Sequence, residues 1–246
     1  TSELGFFQRT GVRQYTGGGY LGRRPAWKGV RQFYLGANGT YVTGRSNRLQ
    51  TGNLGLGPAV VFKDGSFLFA NAVRTEEGLT EPFEIRNGVE IPVRTYRGNQ
   101  FLAQYMPNRS RRLSLGGGLL TGAFYGGTIV APSVSVNARL HQRLTTGVDY
   151  SRNAVDVPVP GGVFTTNLLV AKATYAFSPR AFVSVLLQRD DDARETRAQV
   201  VLRYTYKPGA DLFVVYDDTR NILGETPPVQ ARKFIVKMTF YVVPRG

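Results

Sequence analysis

The chain has 246 residues, and its 31 lysines and arginines outnumber its 17 aspartates and glutamates, giving a formal net charge of +14. Composition does not shift sharply along the sequence, so we expect one domain over residues 1–246. Because cysteine is absent, disulfides and thiolate metal sites are excluded. No apolar run approaches the roughly 20 residues of a membrane helix, which excludes a helical membrane protein.

The sequence predicts about thirteen β-strands, and the glycine-rich, aromatic-rich composition agrees with sheet structure. The predicted strands lie near 11–22, 29–44, 48–62, 66–76, 92–106, 111–124, 128–140, 144–152, 163–177, 181–189, 195–207, 211–217 and 230–243. Bacterial single-chain membrane barrels normally have an even number of strands. Either residues 3–9 add a fourteenth strand, or the chain begins inside a larger barrel.

The clearest alternation of apolar and polar residues lies between Glu195 and Lys207. One face would carry Thr196, Ala198, Val200, Leu202, Tyr204 and Tyr206, and the other Glu195, Arg197, Gln199, Arg203, Thr205 and Lys207. Strands of a soluble sandwich average about five to six residues, whereas roughly 9–11 residues cross a bilayer at a tilt. We therefore predict an all-β protein, an antiparallel transmembrane β-barrel of about 12–14 strands whose polar face lines the interior.

The links between predicted strands alternate in length, as they do in outer-membrane barrels with short periplasmic turns and longer outer loops. The short links are 63–66, 107–112, 141–146, 178–180 and 207–210, and the long links are 74–92, 152–164, 189–195 and 218–229. The tight turn around Gly126 breaks this rule, because a long link is due there. The pattern predicts a location in the outer membrane of a Gram-negative bacterium.

Two sets of residues are candidates for a functional role in such a barrel. The basic residues expected to line the lumen are Arg139, Lys172, Arg197, Arg203, Lys207, Lys233 and Lys237. The aromatic residues expected to form a girdle beside the short turns are Tyr175, Phe177, Phe182, Tyr204, Tyr206, Phe213 and Phe240. The basic set would favour anions in an open lumen, or would pair with interior carboxylates such as Glu195.

Other constellations favour structural interpretations. Asp190, Asp191 and Asp192, with Asp217 and Asp218, offer oxygen ligands, but without calcium-loop spacing we expect solvated loop tips facing Arg194 and Arg220. His141 is the only histidine and has no nucleophile motif beside it, so we expect a turn histidine rather than a catalytic one. The charges alternate along many strands instead of forming one patch, so nucleic acid is not an expected partner.

Several stretches resemble the C-terminal outer-membrane barrel of a bacterial family of unknown function. They are ELGFFQRTGVRQY, TEPFEIRNGVEIPVRTY, RRLSLGGGLLTGAFYGG, VDYSRNAVDVPVPGGVFTTNLLVAKATYAFSPRAFVSVLLQ and RYTYKPGADLFVVYDD. In that family a module resembling the family-nine carbohydrate-binding modules precedes a longer barrel. The resemblance implies architecture and location, and it implies that this chain is the C-terminal part of the barrel. It supplies no catalytic motif.

We expect a passive, porin-like channel with a basic lumen, without enzymatic activity or cofactors. The alternative is a structural membrane anchor, a plugged barrel that holds a glycan-binding or other partner module. Outer-membrane lipid and lipopolysaccharide are the expected partners, with a glycan or another outer-membrane or periplasmic protein as further candidates.

Overall fold

The computed structural model describes residues 11–222 and 229–240. The protein is an antiparallel all-β structure, with 77% strand and no helix in the described residues. Within the same residues, no helix is long and apolar enough to span a membrane. The predicted strand at 3–9 lies outside the described residues, as does the end of the strand predicted at 230–243.

Fifteen strands lie in the described part of the chain. They are β1 (Val12–Arg23), β2 (Val30–Gly44), β3 (Leu49–Phe62), β4 (Phe67–Gly78), β5 (Phe83–Arg86), β6 (Val89–Ile91), β7 (Thr95–Met106), β8 (Leu113–Phe124), β9 (Gly127–His141), β10 (Leu144–Asp156), β11 (Val163–Ser178), β12 (Ala181–Asp190), β13 (Glu195–Lys207), β14 (Ala210–Asn221) and β15 (Val229–Met238).

Thirteen of these strands form one sheet in chain order, β1 to β4 and then β7 to β15, and this sheet is not closed. Each corresponds to one of the thirteen strands predicted from the sequence. Strands β5 and β6 form a separate two-stranded hairpin. The prediction of long antiparallel strands joined in sequence is confirmed.

The chain divides into two compact units. The first comprises residues 11–106 with Gly118–Pro132 and Asn153–Thr165, and the second comprises Pro107–Gly117, Ser133–Arg152 and the described residues from 166 onward. The division passes through strands β8 to β11 rather than through a linker. The expectation of one domain over 1–246 therefore stays a prediction.

In the second unit, cross-strand pairing aligns apolar residues on one face of strands β11 to β15. Val185 lies opposite Val200, which lies opposite Tyr216, which in turn lies opposite Phe234. The neighbouring row on this face contains Val183, Leu202, Val214 and Val236. Because adjacent residues point to opposite faces, the intervening side chains form a second face. We call it the polar face because it carries Arg203, Asp217 and Lys233, although one of its rows is apolar and consists of Val201, Val215 and Ile235.

The first unit also has an apolar face. Leu56 lies opposite Ala72, and Ala72 lies opposite Phe101, while Val60, Leu68 and Tyr105 form another row. Many of these apolar side chains are exposed, including Leu54 at 63%. The opposite side of the same strands also carries apolar residues, since Val61 lies opposite Phe67 and Phe67 lies opposite Met106.

The first unit contains a compact apolar cluster where β5 and β6 fold back. Ile91 is 0% exposed and packs with Ile129, Val155 and Val157. Ile129 is 8% exposed whereas its neighbour Val130 is 46% exposed, so the hairpin covers the face of β9 opposite Val130. The link predicted at 74–92 is therefore more than a polar loop. Its first residues belong to the end of β4, and the hairpin of β5 and β6 lies within it.

The same hairpin contacts the tight turn that breaks the rule of alternating link lengths. Tyr125 and Gly126 have φ angles of 43° and 85°, the left-handed pair that suits a two-residue hairpin turn. A tyrosine in this region carries strain, and three rings surround it. Phe124, Tyr96 and Phe83 lie with ring centroids 4.8, 5.4 and 6.0 Å from that of Tyr125.

Replacing Ile91 by alanine should weaken the attachment of the hairpin without unfolding the sheet. The lost packing should lower the free energy of opening of this segment by about 2–4 kcal/mol. Limited proteolysis should then cut between residues 79 and 94 earlier than in the wild type. Val93→Ala, at an exposed position of the same link, is the matched control, and equal cleavage of both variants would contradict the packing role of Ile91.

Candidate functional site

Four of the predicted lumen residues share the polar face of strands β13 to β15. The register places Arg203 opposite Phe213 and Phe213 opposite Lys237. Four residues further along each strand, Asp217 lies opposite Lys233, and Asp217 also binds Arg197. The pairing puts these residues on one face of the sheet, and that they line a lumen stays a prediction.

Arg197, Asp217 and Lys233 lie on three neighbouring strands, and we call them the charged row. Gln199 is the register partner of Asp217 on β13, and Arg197, opposite Thr219, reaches Asp217 diagonally. The Arg197 guanidinium donates from Nε to both Asp217 carboxylate oxygens, at 3.1 and 3.0 Å, and Nη2 makes a further contact. Gln199 donates to the same carboxylate at 3.0 Å. Lys233 lies across the strand pair from Asp217. The row contains two cations and one anion, so it keeps a positive charge.

Arg203 interacts both through its charge, with the Asp211 carboxylate, and through its flat guanidinium group, with two aromatic rings. Its guanidinium donates two hydrogen bonds to Asp211, from Nε at 3.1 Å and from Nη2 at 2.9 Å. The Phe182 and Phe213 rings lie 5.9 and 5.5 Å from its Cζ atom. Thr205 also donates to Asp211. Bidentate pairing combined with aromatic contacts fixes this side chain.

Arg139 and Lys172 are brought together at a surface cavity of about 350 Å³ within the second unit. Arg109 and Arg111 line the same cavity, and Asp149 is the carboxylate among its lining residues. Sequence reasoning placed Arg109 and Arg111 in a short link and did not assign them to a site. Four basic groups against one acidic group make this cavity attractive to anions.

Two of the seven aromatic residues differ from the predicted girdle. Phe182 lies opposite Ala176 and Arg203, on the polar face, and Phe213 lies opposite Lys237 on that same face. Tyr175 and Tyr204 lie in the apolar rows, opposite Val183 and Ala181 respectively. The predicted girdle contains all seven aromatic residues because all lie near short turns. Phe182 and Phe213 nevertheless point to the polar face, the face opposite to that of Tyr175 and Tyr204.

Four of the aromatic residues form two pairs of rings, each beside an irregularity in the register. Tyr175 and Phe177 have ring centroids 5.0 Å apart, next to the shift between Ala176 and Ser178. Tyr206 and Phe240 have centroids 6.3 Å apart, next to the shift between Thr205 and Lys207. Lys207 lies opposite Ala210 beyond this shift, at the end of the hairpin. A girdle formed by Tyr175, Phe177, Tyr204, Tyr206 and Phe240 stays a prediction.

The aspartates considered as cation ligands have other partners. Asp217 binds Arg197, and Asp218 binds Arg220 and Arg232. Asp190 accepts the backbone N–H groups of Asp192 and Ala193 at 2.9 and 3.1 Å, so it shapes its turn. In the described part of the chain, no group of three or more histidine, aspartate or glutamate residues could hold a metal ion.

His141 has a turn role in the structure. Its Nδ1 atom accepts the backbone N–H of Arg143 at 3.3 Å, at the link between β9 and β10. This agrees with the interpretation of His141 as a turn residue.

Comparisons of the chain with protein families, with curated proteins and with solved structures found no match. The family resemblance noted in the sequence therefore stays a prediction.

Replacing Arg203 by lysine should lower thermal stability even though the charge is kept. Lysine lacks the planar fork that binds both Asp211 oxygens and the flat surface that contacts Phe182 and Phe213. We expect the unfolding temperature to fall by a few degrees. Arg139→Lys, on an exposed side chain without a bidentate partner in the described residues, is the matched control. An equal response of both variants would contradict the proposed geometry of Arg203.

Proposed function

We propose that this chain forms an outer-membrane β-barrel, or the C-terminal part of a larger one, that acts as a passive channel for anionic or neutral solutes. The observation that carries the proposal is the exposed apolar face of each unit, aligned in register. In the second unit the charged residues of β13 to β15 lie on the opposite face. The exposed side chains of the apolar faces include Leu54 and, at 68% exposure, Phe234. Soluble monomers rarely expose apolar patches larger than a few hundred Å², so lipid is the natural environment for such faces.

Strand length supports the same proposal. The thirteen strands of the large sheet span 10 to 16 residues each, as β12 and β11 illustrate. A tilted membrane strand needs about 9–11 residues, whereas the average globular strand has about five to six. Strands of this length carry an apolar face across a bilayer core.

The polar face of the second unit supports the channel. Asp211 and Asp217 offset Arg203 and Arg197, whereas Lys233 and Lys237 make no ion pair within the described residues. The cavity at Arg139 and Lys172 adds further positive charge. In a water-filled lumen with low-dielectric walls, this excess would concentrate anions.

A structural anchor is the second candidate function. It is favoured by the hairpin of β5 and β6, which occupies one face of β9 in the first unit, and by the ion pairs that offset part of the charge. A plugged barrel would hold a glycan-binding or other partner module at the membrane surface. Recording from planar bilayers separates the two functions, because only the channel gives a stable conductance.

The membrane location has its own test. The purified protein should require detergent for solubility, and it should migrate faster on SDS gels when unheated than when boiled. A protein that stays monodisperse without detergent would refute the outer-membrane barrel.

Replacing both Lys233 and Lys237 by glutamate should reduce or reverse the anion preference of the conductance, because four units of charge change on the lumen face. Reversal potentials in a salt gradient measure this preference. Lys28→Glu with Lys63→Glu changes the same charge in links between strands and is the control. Lys237→Glu alone, opposite Phe213 rather than Asp217, is the milder variant if the double variant folds poorly. An unchanged preference in every lumen variant would exclude these lysines from the conducting path.

Asp217→Asn should act in the opposite direction. It removes the anion that offsets Arg197 and Lys233, so the permeability ratio of chloride to potassium should rise. Asp192→Asn removes the same charge from a link and is the control. A fall in the ratio, or equal changes in both variants, would contradict the role of the charged row.

A further inference from the structure

Three arginines lie together on the apolar face of the second unit, at the end of the strands where the longer links are. Arg189 lies opposite Thr196, and Thr196 lies opposite Arg220. Arg232 lies opposite Asp218 in the neighbouring row. With strands about 4.8 Å apart, the backbones of Arg189 and Arg220 are separated by about 10 Å. We call Arg189, Arg220 and Arg232 the arginine cluster.

Acidic side chains hold the arginine cluster in place. Asp218 is only 5% exposed at its side chain, and it accepts Nε of Arg220 at 2.7 Å and Nε of Arg232 at 3.0 Å. The Tyr216 hydroxyl donates to the same carboxylate at 3.0 Å. Asp191 accepts Nε of Arg189 at 3.1 Å. Arg220 donates to Asp218 from Nη2 as well, at 3.3 Å. Because 55–58% of each arginine side chain is exposed, the remaining guanidinium N–H groups are accessible to a ligand.

The charge of the cluster does not balance. Asp218 is shared by two arginines, so that pair of guanidiniums keeps one positive charge beyond its carboxylate. Guanidinium groups hydrogen-bond phosphate in a planar, bidentate manner, and those held in place lose little conformational entropy on binding. The cluster is therefore suited to an anion with several oxygen atoms.

Apolar residues begin directly beside the cluster. Ala198, Val200 and Leu202 continue down β13 on the same face, with Tyr216 and Phe234 in the adjacent strands. A ligand that touches both regions needs a phosphate group and attached acyl chains. A free phosphate would use the arginines alone and would gain nothing from the apolar band.

We propose that the arginine cluster binds the phosphate groups of an anionic membrane lipid whose acyl chains lie against the apolar face. The proposal rests on the membrane location proposed above and adds a lipid site that is separate from the lumen face. It gives this end of the second unit a fixed position in the headgroup region, where basic side chains attract anionic lipid.

The test uses delipidated full-length chain in neutral detergent, with dilauroyl phosphatidic acid as the probe and native mass spectrometry as the readout. Arg220→Gln with Arg232→Gln should weaken binding by about tenfold. Arg189→Gln alone leaves the contacts of Asp218 intact and should weaken binding severalfold. If the double variant folds poorly because Asp218 loses its partners, adding Asp218→Asn removes the unpaired charge.

Lys233→Gln with Lys237→Gln is the matched control, since it removes two charges from the opposite face of the sheet. Its binding should stay within about twofold of the wild type. Equal weakening in both double variants would show a net-charge effect and overturn the site. Inorganic phosphate should compete poorly, and competition as strong as that of the lipid would overturn the lipid assignment.

The heat-shift gel separates this proposal from the proposed function. A protein that needs detergent and shifts on heating, but binds the probe equally in all variants, would retain the barrel and lose the lipid site. A protein that is soluble without detergent would lose both.

Discussion

Backbone hydrogen bonding between antiparallel strands is the constraint on which the rest of this structure depends. A long strand satisfies its N–H and C=O groups only through its neighbours, and the pairing fixes which side chains share a face. A shift of β15 by one residue would bring Lys233 to the face of the sheet that carries Val200 and Tyr216. The alternation in β13 produces two distinct faces of the sheet because the alternating residues of β12, β14 and β15 pair with it in register.

The same register distributes charge between the two faces. On the polar face, Asp211 and Asp217 each meet an arginine, and the lysines of β15 leave an excess of positive charge. On the apolar face, charge is concentrated at one end, where Asp218 joins Arg220 and Arg232. Both proposals, a lumen that favours anions and a contact with lipid phosphate, follow from which side of a strand each arginine occupies.

Strand positions and the overall antiparallel class were predictable from the sequence, because alternation over ten or more residues is a strong signal. The alternation predicts which residues of one strand share a face, but it does not predict which residues of neighbouring strands lie on that same face. Phe182 and Phe213 were grouped with Tyr175 because all three lie near short turns, but their cross-strand partners place them around Arg203. The pairing of Arg197 with Asp217 depends on register across a hairpin, which a single strand does not reveal. The β5 and β6 hairpin did have a signal, the Asn87–Gly88 dipeptide, whose glycine adopts a φ of 78°.

The folded segment between β4 and β7 links parts of the chain that are far apart in sequence. Ile91 packs against residues 129, 155 and 157, and the ring of Phe83 contacts Tyr125. A larger side chain at any of these positions requires a smaller one at another, since a packed cluster tolerates changes that conserve its volume. These positions should therefore vary together during evolution, while the exposed residues of the same segment change independently.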